Sequence, residues 1–414
     1  MANTLKNSQI VANELLESFI NSSGLARMVD HQFEKKFGKA GAKIGSALEV
    51  RDTVLMESGT GQGISPQDVE EKTKFLRLNQ HYHVAWKYSV EEDSLNVDQW
   101  MERHGRPAII KLANRWDTYL CRLAAESAVA GFVGTPATAV TAMKQFGQAR
   151  ALVQKQGAPP TEGMIMVMDP DTQVEAIALA QGLFNSQPQI RKQYEDGNMG
   201  RANGFNWHMS QNIRRHTVGP LGGTPLVDGA QTGASILTNG WTASAANRLK
   251  KGDKITFGVL GTATEVRGVD QITKEELPDL KVYTVTADAD SDAAGVLTIQ
   301  IDPPVITAGA YQNSSNSIPN DAEVQIFAHA SSHADTVSAM NMAIHPAAIT
   351  AAVFPLPVPS DAMMGATQYD EEHGVGVSVW RASDIRTGEI LTRVDLLGGA
   401  LVRNPEWIAI VLGA

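Results

Sequence analysis

The segment from Pro107 to Gly131 carries Ile109, Leu112, Ala113, Trp116, Leu120, Leu123, Ala124, Ala128 and Gly131 on one stripe. That spacing makes one face of a 3.6-residue helix apolar along its whole length. Pro107 suits the first turn, where a missing N–H costs nothing, and Gly131 with Gly134 supplies an end signal. At about 1.5 Å per residue the helix would be about 36 Å long, enough to serve as the backbone of a whole domain. A helix of this kind is scaffolding before it is chemistry.

The rest of the chain must supply what packs on it. At 414 residues the sequence exceeds one ordinary core, and two or three compact units are expected. Residues Ser8 to Asn21 place Val11, Leu15, Phe19 and Ile20 at helical spacing, a short amphipathic helix that needs a partner surface in its own or a neighbouring subunit. From Arg51 to Val90 the pattern becomes extended. Gly59, Gly61 and Gly63 lie between Asp52–Met56 and Phe75–Leu78, and His81–Tyr88 then alternates as a strand does. We read this as a long two-stranded excursion with a glycine tip. The glycines lack the Gly-Lys-Ser/Thr end of a phosphate loop and do not open a helix as a dinucleotide fingerprint would.

Beyond the long helix, Gly163–Met168 reads as a buried strand. It runs into Asp169, Pro170 and Asp171, an N-cap, a first-turn proline and a favourable acidic charge for a helix through Leu179 and Leu183. Asn341–Ile344 followed by His345, Pro346 and the run to Val353 repeats that strand, cap, proline and helix order. Between the two units lies a stretch rich in turns, with strands expected at Ile255–Leu260, Val282–Thr286, Gly295–Ile301 and Glu323–Phe327, spaced as in a small barrel or sandwich. The fold class is therefore α+β, with one α/β domain split by a β insert.

Composition excludes several functions. Cys121 is the only cysteine, which rules out an intrachain disulfide and multi-cysteine metal sites and suits a small apolar residue within a helix. No apolar run reaches the roughly 18 residues needed to span a bilayer, and the N-terminus lacks the basic start and apolar stretch of a secretory signal; no membrane partner is expected. A formal net charge of −10 opposes a surface that grips DNA by neutralising phosphates. The one basic cluster, Lys35, Lys36, Lys39 and Lys43, is a solvated face or an electrostatic docking strip for an acidic partner. His81 and His83, with His104 or Glu102, could ligate zinc, but nothing in the sequence fixes them on one surface. Asp288, Asp290 and Asp292 lack the central glycine and terminal glutamate of a calcium loop and read as an acidic turn. No nucleophile elbow accompanies the serines and histidines. Neither catalytic residues nor a cofactor follow.

The order of parts resembles the major capsid proteins of tailed bacteriophages, in particular the short-tailed phage coat proteins with an inserted β-barrel. The likeness is carried by Leu249-Lys-Lys-Gly-Asp-Lys-Ile-Thr-Phe257, by Gly163–Asp171, by 341–358 with its Phe354-Pro-Leu-Pro-Val-Pro359 ending, and by Arg393–Leu412. It implies the tailed-phage and herpesvirus capsid fold. The expected parts are an N-terminal arm (1–40), an extended loop (41–90), a peripheral domain with the spine helix (91–134), an axial domain (135–222 and 335–374) holding the insert (223–334), and C-terminal strands of the peripheral domain (375–414). It further implies self-assembly in the host cytoplasm into pentamers and hexamers of an icosahedral virion shell. That shell would enclose double-stranded DNA without sequence-specific contacts, with a scaffolding protein, a portal and a decoration protein as partners. The candidate subunit-interface residues are then Lys35, Lys36, Lys39, Lys43, Gly59, Gly61, Gly63, Gly252, Asp253 and Lys254. Competing readings are a nanocompartment shell of the same fold, an α/β enzyme with a β accessory domain, and a polysaccharide-binding tail protein.

Overall fold

The apolar stripe does form a helix, but one that stops four residues before Gly131. The computed structural model describes residues 12–20, 23–31, 47–51, 54, 56, 71–89, 104–160, 163–180, 199–328, 333–359, 362, 364–370, 375–384 and 386–414. Its helices are α1 (12–20), the long α2 (Arg106–Ser127), α3 (Met143–Lys155) and α4 (Pro170–Ala180). Up to α2 the strands are β1 (Ala47–Arg51), β2 (Thr73–Arg77) and β3 (Gln80–Ser89). After it come β4 (Gly131–Val133), β5 (Met164–Met168), β6 (Arg201–Ala202), β7 (Phe205–Met209) and β8 (Arg215–Thr217). The insert supplies β9 (Gly223–Val227), β10 (Gly233–Trp241), β11 (Ala245–Leu249), β12 (Lys254–Phe257), β13 (Arg267–Val269), β14 (Glu276–Leu280), β15 (Tyr283–Val285), β16 (Ala289–Ser291), β17 (Leu297–Val305) and β18 (Val324–Ile326). The chain ends with β19 (Val337–Ile344), β20 (Ile349–Phe354), β21 (Met364–Asp370), β22 (Val375–Asp384), β23 (Glu389–Val402) and β24 (Ile408–Gly413).

These elements fall into two compact units. The first comprises 1–52, 73–120 and 349–403. Its sheet runs β20-β23-β22-β21, with β3 also on β23, so the strand expected at His81–Tyr88 is zipped along β23 from Glu389↔Ser89 to Gly398↔Gln80. The β1–β2 ribbon pairs Ala47 with Arg77 through Arg51 with Thr73 and buries Val50 and Leu76 with Ala352, flanked by Leu48, Leu78, Phe354 and Leu401. The tip of that excursion, with Gly59, Gly61 and Gly63, lies outside the described residues. The first turns of α2 bury Ile109, Leu112, Ala113, Trp116 and Leu120, the stripe read from the sequence, and α1 contributes Leu15 and Phe19.

Within this unit the buried Asp117 of α2 accepts from the backbone N–H of Gly24 at 2.5 Å and of Ala26 at 3.0 Å. It thereby satisfies a one-turn 3₁₀ segment, Leu25–Arg27, that follows α1. Burial pushes its carboxyl up to about 6, against the pull of the two N–H donors and of Arg27. Asp117→Ala orphans both donors, a loss of about 2–4 kcal/mol, and should speed tryptic cleavage at Arg27. A carboxyl whose folded value is raised stabilises most below its unfolded value and loses that contribution as pH rises through about 6. The stability gap between wild type and variant, read from urea melts, should therefore widen from pH 6 to pH 4.

The second unit comprises 53–72, 121–348 and 404–414. Its main sheet has the order β4-β24-β19-β5-β7-β6, with β8 on β19, and mixes antiparallel β19 pairs with parallel β24–β4 and β5–β7 pairs. Every residue of β5 is buried, as a short continuous apolar run in a two-sided core strand requires. Helix α3 covers it through Phe146, Ala149 and Val153, with Phe146 edge-on to Trp207 at 4.9 Å between centroids. Asp169 gives its carbonyl to the N–H of Gln173, and Pro170 opens α4. Asn341 holds this corner, accepting from the Asp169 N–H at 2.8 Å and donating to Thr172 Oγ1 at 3.1 Å. The carboxylates of Asp169 and Asp171 meet Arg215 at 3.4 and 3.0 Å.

One expectation fails here. His345 and Pro346 do not open a helix: Pro346–Ala348 is a single 3₁₀ turn, and the chain then extends as β20. The proline signal is the same as at Pro170, but Ile349, Thr350 and Val353 are β-branched, and five of the six residues of β20 are buried. The strand pairs with β23 from Ile349↔Val402 to Phe354↔Leu397, and Thr350 bridges Asp30 on its other side. Two-sided pairing outweighs a local cap.

The insert is a closed barrel. Its strands follow the order β18-β12-β15-β17-β10-β9, and the two ends meet through the Leu226↔Glu323 bridge, the Val227 N–H to Ala322 carbonyl bond of 3.0 Å and the Asp321 N–H to Val227 carbonyl bond of 3.0 Å. Closure removes both sheet edges. The alternating burial of β17 brings Leu297, Ile299 and Ile301 inward, beside Ile236, Ile255, Phe257, Val285, Val324 and Ile326. Two ribbons, β11–β16 and β13–β14, accompany it. All four strands expected from the sequence are barrel staves; β9 and β10 complete it. Because this core closes on itself, residues 223–334 expressed alone should give a dispersed amide proton–nitrogen spectrum; a random-coil spectrum would show that the barrel depends on its surroundings.

Candidate anchoring site at the end of the long helix

Helix α2 ends at Ser127 with carbonyls that lack intrahelical partners, as every helix does. The insert supplies them. Lys254, the first residue of β12, is fully buried, and its Nζ donates to the carbonyls of Ala125 at 3.0 Å and Ala128 at 2.7 Å and to Thr284 Oγ1 at 2.8 Å. Thr284, opposite Lys254 in the β12–β15 register, passes its own proton to the Ala128 carbonyl at 2.8 Å. Three acceptors match the three donors of an ammonium, placed at the negative end of the helix dipole. Burial nonetheless pushes Lys254 down to about 7, opposed by the carboxylates of Asp253, Asp302 and Glu126.

The turn before β12 holds the lysine in place. Asp253 N–H donates to the Lys250 carbonyl at 3.0 Å, and Gly252, at φ +102°, takes the turn position that requires a positive φ. The buried Asp253 carboxylate accepts from His216 Nε2 at 2.7 Å, Lys250 N–H at 2.8 Å and Gly219 N–H at 3.3 Å, joining the turn to β8 and the strand entry. An acid in the last turn of a helix opposes the dipole; Glu126 is instead neutralised by Arg214 at 2.5 Å and Lys251 at 2.9 Å. The motif Leu249–Phe257 thus works as a bolt between the barrel and the end of the helix.

Gly252, Asp253 and Lys254 are brought together, but all three are buried and their bonds are made within the chain. Lys35, Lys36, Lys39 and Lys43, like the tip glycines, lie outside the described residues. Glu126, Arg214, His216 and Thr284 escaped the sequence reading, because nothing local marks residues whose partners lie tens of positions away. The one available signal was the alternation of Lys254 and Thr256 with Ile255 and Phe257, which gives β12 a polar outer face. Of the zinc candidates, His81 Nε2 meets Asp395 Oδ1 at 3.0 Å, and no cluster of three metal-ligating side chains occurs among the described residues. Asp292 accepts from the N–H groups of Ala294 and Val296, the bonding of an acidic turn residue, but Asp290 lies within β16 and, like Asp288, accepts from a distant segment, the N–H groups of Asn247 and Lys251 respectively, so the stretch is not one acidic turn.

The family described as P22 coat protein, gene protein 5, matches residues 1–413. The chain belongs to the P22 coat protein family. It is a major capsid protein of the tailed-phage fold, a structural protein and not an enzyme, that assembles with copies of itself into the shell of the virion. The nanocompartment and enzyme readings are not favoured. No curated protein matches the sequence. Among solved structures, the coat protein is similar to a chain of Mycobacterium phage Che8, with 10% identity, 94% of this chain and 90% of the other covered and a TM-score of 0.49. It is also similar to the capsid of Ralstonia phage GP4, with 8% identity, 95% and 90% coverage and a TM-score of 0.45. A virus-like particle from Pyrococcus furiosus gives 9% identity, 98% and 99% coverage and a TM-score of 0.40. No helix among the described residues of the coat protein is long and apolar enough to cross a membrane.

Proposed function

We propose that this coat protein forms the pentamers and hexamers of an icosahedral procapsid that is built in the host cytoplasm, with a scaffolding protein and a portal, and then filled with double-stranded DNA. A decoration protein is a further candidate partner. The observation that carries the reading is the match over essentially the whole chain to a coat protein family. The acidic balance of 45 acidic to 35 basic residues fits a container, since a strongly basic lining would hold DNA by counterion release and impede its movement. We assign residues 1–40 to an arm, 41–90 to an extended loop, 91–120 and 349–403 to the peripheral domain, 121–222, 335–348 and 404–414 to the axial domain and 223–334 to the insert, moving the boundaries expected from the sequence to follow the two compact units. In this reading the arm and the glycine-tipped loop, with Gly59, Gly61 and Gly63, reach neighbouring subunits. Gly252, Asp253 and Lys254 serve such contacts indirectly, by fixing the barrel that presents its outer face.

The test is sedimentation and negative-stain microscopy of the purified chain, alone and with the products of neighbouring genes. Closed shells or rings are expected; a compact monomer at all concentrations and with every candidate scaffold would count heavily against the reading. Lys35, Lys36, Lys39 and Lys43 are assigned to attract an acidic surface, through an interaction screened by salt over about 8–10 Å near physiological ionic strength. Reversing two of these charges should slow assembly, followed by light scattering, at low salt and change it little at high salt, with circular dichroism unchanged. Wild-type rates at low salt would reduce the cluster to a solvated face.

A further inference from the structure

The dipeptide Asn-Gly occurs twice in the sequence, at Asn203–Gly204 and at Asn239–Gly240. In this pair backbone attack on the side-chain amide is least obstructed, because the second residue has no Cβ. The fold treats the two sites in opposite ways. Asn203 and Gly204 alone connect β6 to β7, whose register pairs Ala202 with Phe205 and Arg201 with Asn206. Both take left-handed backbone, at φ +53° and +78°, as a two-residue hairpin turn requires. Asn203 is exposed and borders an open groove of about 500 Å³ along α3, beside Gly147 and Gln148. Neither its side-chain amide nor the Gly204 N–H has a hydrogen-bond partner among the described residues.

The guanidinium of Arg150, on α3, lies over this turn. Its Nη1 donates to the Asn203 carbonyl at 3.4 Å, and a Cβ on Gly204 would fall 1.7 Å from Nη1 and 2.3 Å from Cζ. A cation in that place favours loss of the Gly204 amide proton and favours a carboxylate at position 203. Cyclisation also needs the turn to open, since left-handed turn backbone directs the next nitrogen away from the side chain. Opening is cheap here, because β6 is two residues long and is the edge strand of its sheet. Asn239 has no such freedom. It sits within β10, which β17 and β9 flank on both sides, and is paired with Leu226. A Cβ on Gly240 would lie 2.4 Å from the Thr224 carbonyl oxygen, so the backbone around it is tightly enclosed by the barrel.

We infer that Asn203 is a site of spontaneous deamidation in the folded coat protein. The Gly204 nitrogen gives up its proton and bonds to Asn203 Cγ, and the side-chain nitrogen leaves as ammonia. Water then opens the resulting succinimide at either carbonyl, giving aspartate or isoaspartate. Each product adds one negative charge beside Arg150, and isoaspartate also adds a carbon to the main chain of a two-residue turn, which loosens β6 from β7.

The test is incubation of the purified full-length chain at mildly alkaline pH, followed by digestion and mass spectrometry of the peptides that carry each Asn-Gly pair, with isoaspartate scored by enzymatic methylation. Asn203 is expected to convert about tenfold or more faster than Asn239, the contrast between an edge turn that frays and a closed barrel. In urea, where the fold no longer distinguishes them, the two should convert at similar rates. Arg150→Gln should slow Asn203 several-fold and leave Asn239 unchanged, with circular dichroism as the folding control. Equal rates at the two sites in the folded chain, faster conversion of Asn239, or an Asn203 that stays intact until urea is added would each overturn the proposal, and these outcomes are read on the wild type even if the Arg150 variant does not fold. Wild-type conversion in a folded Arg150→Gln chain would overturn the role given to the guanidinium.

Discussion

Lys254→Met is expected to destabilise the barrel end of the second unit by about 3 kcal/mol at pH 7, within the range for breaking a buried charge contact from one side. Methionine fills the space of the lysine stem but leaves the Ala125 carbonyl without its donor and the Ala128 carbonyl with Thr284 alone, each orphaned acceptor costing about 1–3 kcal/mol. Relief of the buried charge offsets part of this loss, and pH measures how much. A lysine depressed to about 7 when folded releases its proton there, while the unfolded chain keeps it to about 10.4. The unfolded state then binds more protons between these values, so wild-type stability gains up to about 1.4 kcal/mol per pH unit from this group as pH rises. The variant has no such gain. Urea denaturation at pH 6 and pH 9 should show the wild-type advantage growing with pH, and hydrogen exchange should rise at 121–128 and 250–257 together. An advantage independent of pH would mean that Lys254 keeps an ordinary proton affinity, and no advantage at any pH would remove the bolt from the account of stability.

Gly399→Val should be the most damaging single change in the first unit. A Cβ on Gly399 would lie 1.9 Å from the Arg77 carbonyl oxygen, 2.7 Å from its carbon and 3.1 Å from Leu78 Cα. Every one of these is a backbone atom, which cannot rotate away, so β2 and β23 must part and open the small core of Val50, Leu76 and Ala352. The expected cost is about 3 kcal/mol or more, at or above the top of the usual range for overpacking that forces backbone movement. Gly229→Ala is the control: its φ is +81° but nothing lies within 4 Å of the added carbon, so it should lose only about 1 kcal/mol of backbone strain. Similar midpoints for the two variants in urea would show that the β2–β23 approach is loose and that the glycine is not required there.

The sequence by itself determined the elements whose signals are local and periodic. The stripe from Ile109 to Ala124 places α2, the run Met164–Met168 places β5, Asp169 and Pro170 place the start of α4, and the four apolar runs between 255 and 327 place staves of the barrel. The order of those parts, with the Leu249–Phe257 motif, was enough to point to the family that matches the chain. Tertiary structure decided whatever depends on a distant partner. Pro346 announces a helix as clearly as Pro170 does, yet β20 forms because β23, some fifty residues on, offers a ladder that buries its β-branched side chains. The helix stops at Ser127 and not at Gly131 because the 131–133 segment pairs with β24, while a lysine more than a hundred residues away takes its terminal carbonyls. Gly399 looks like any strand glycine until Arg77 is brought against it. Periodicity is written over a few turns of chain, whereas the choice between competing local states is made by burial and hydrogen bonding that no short window contains.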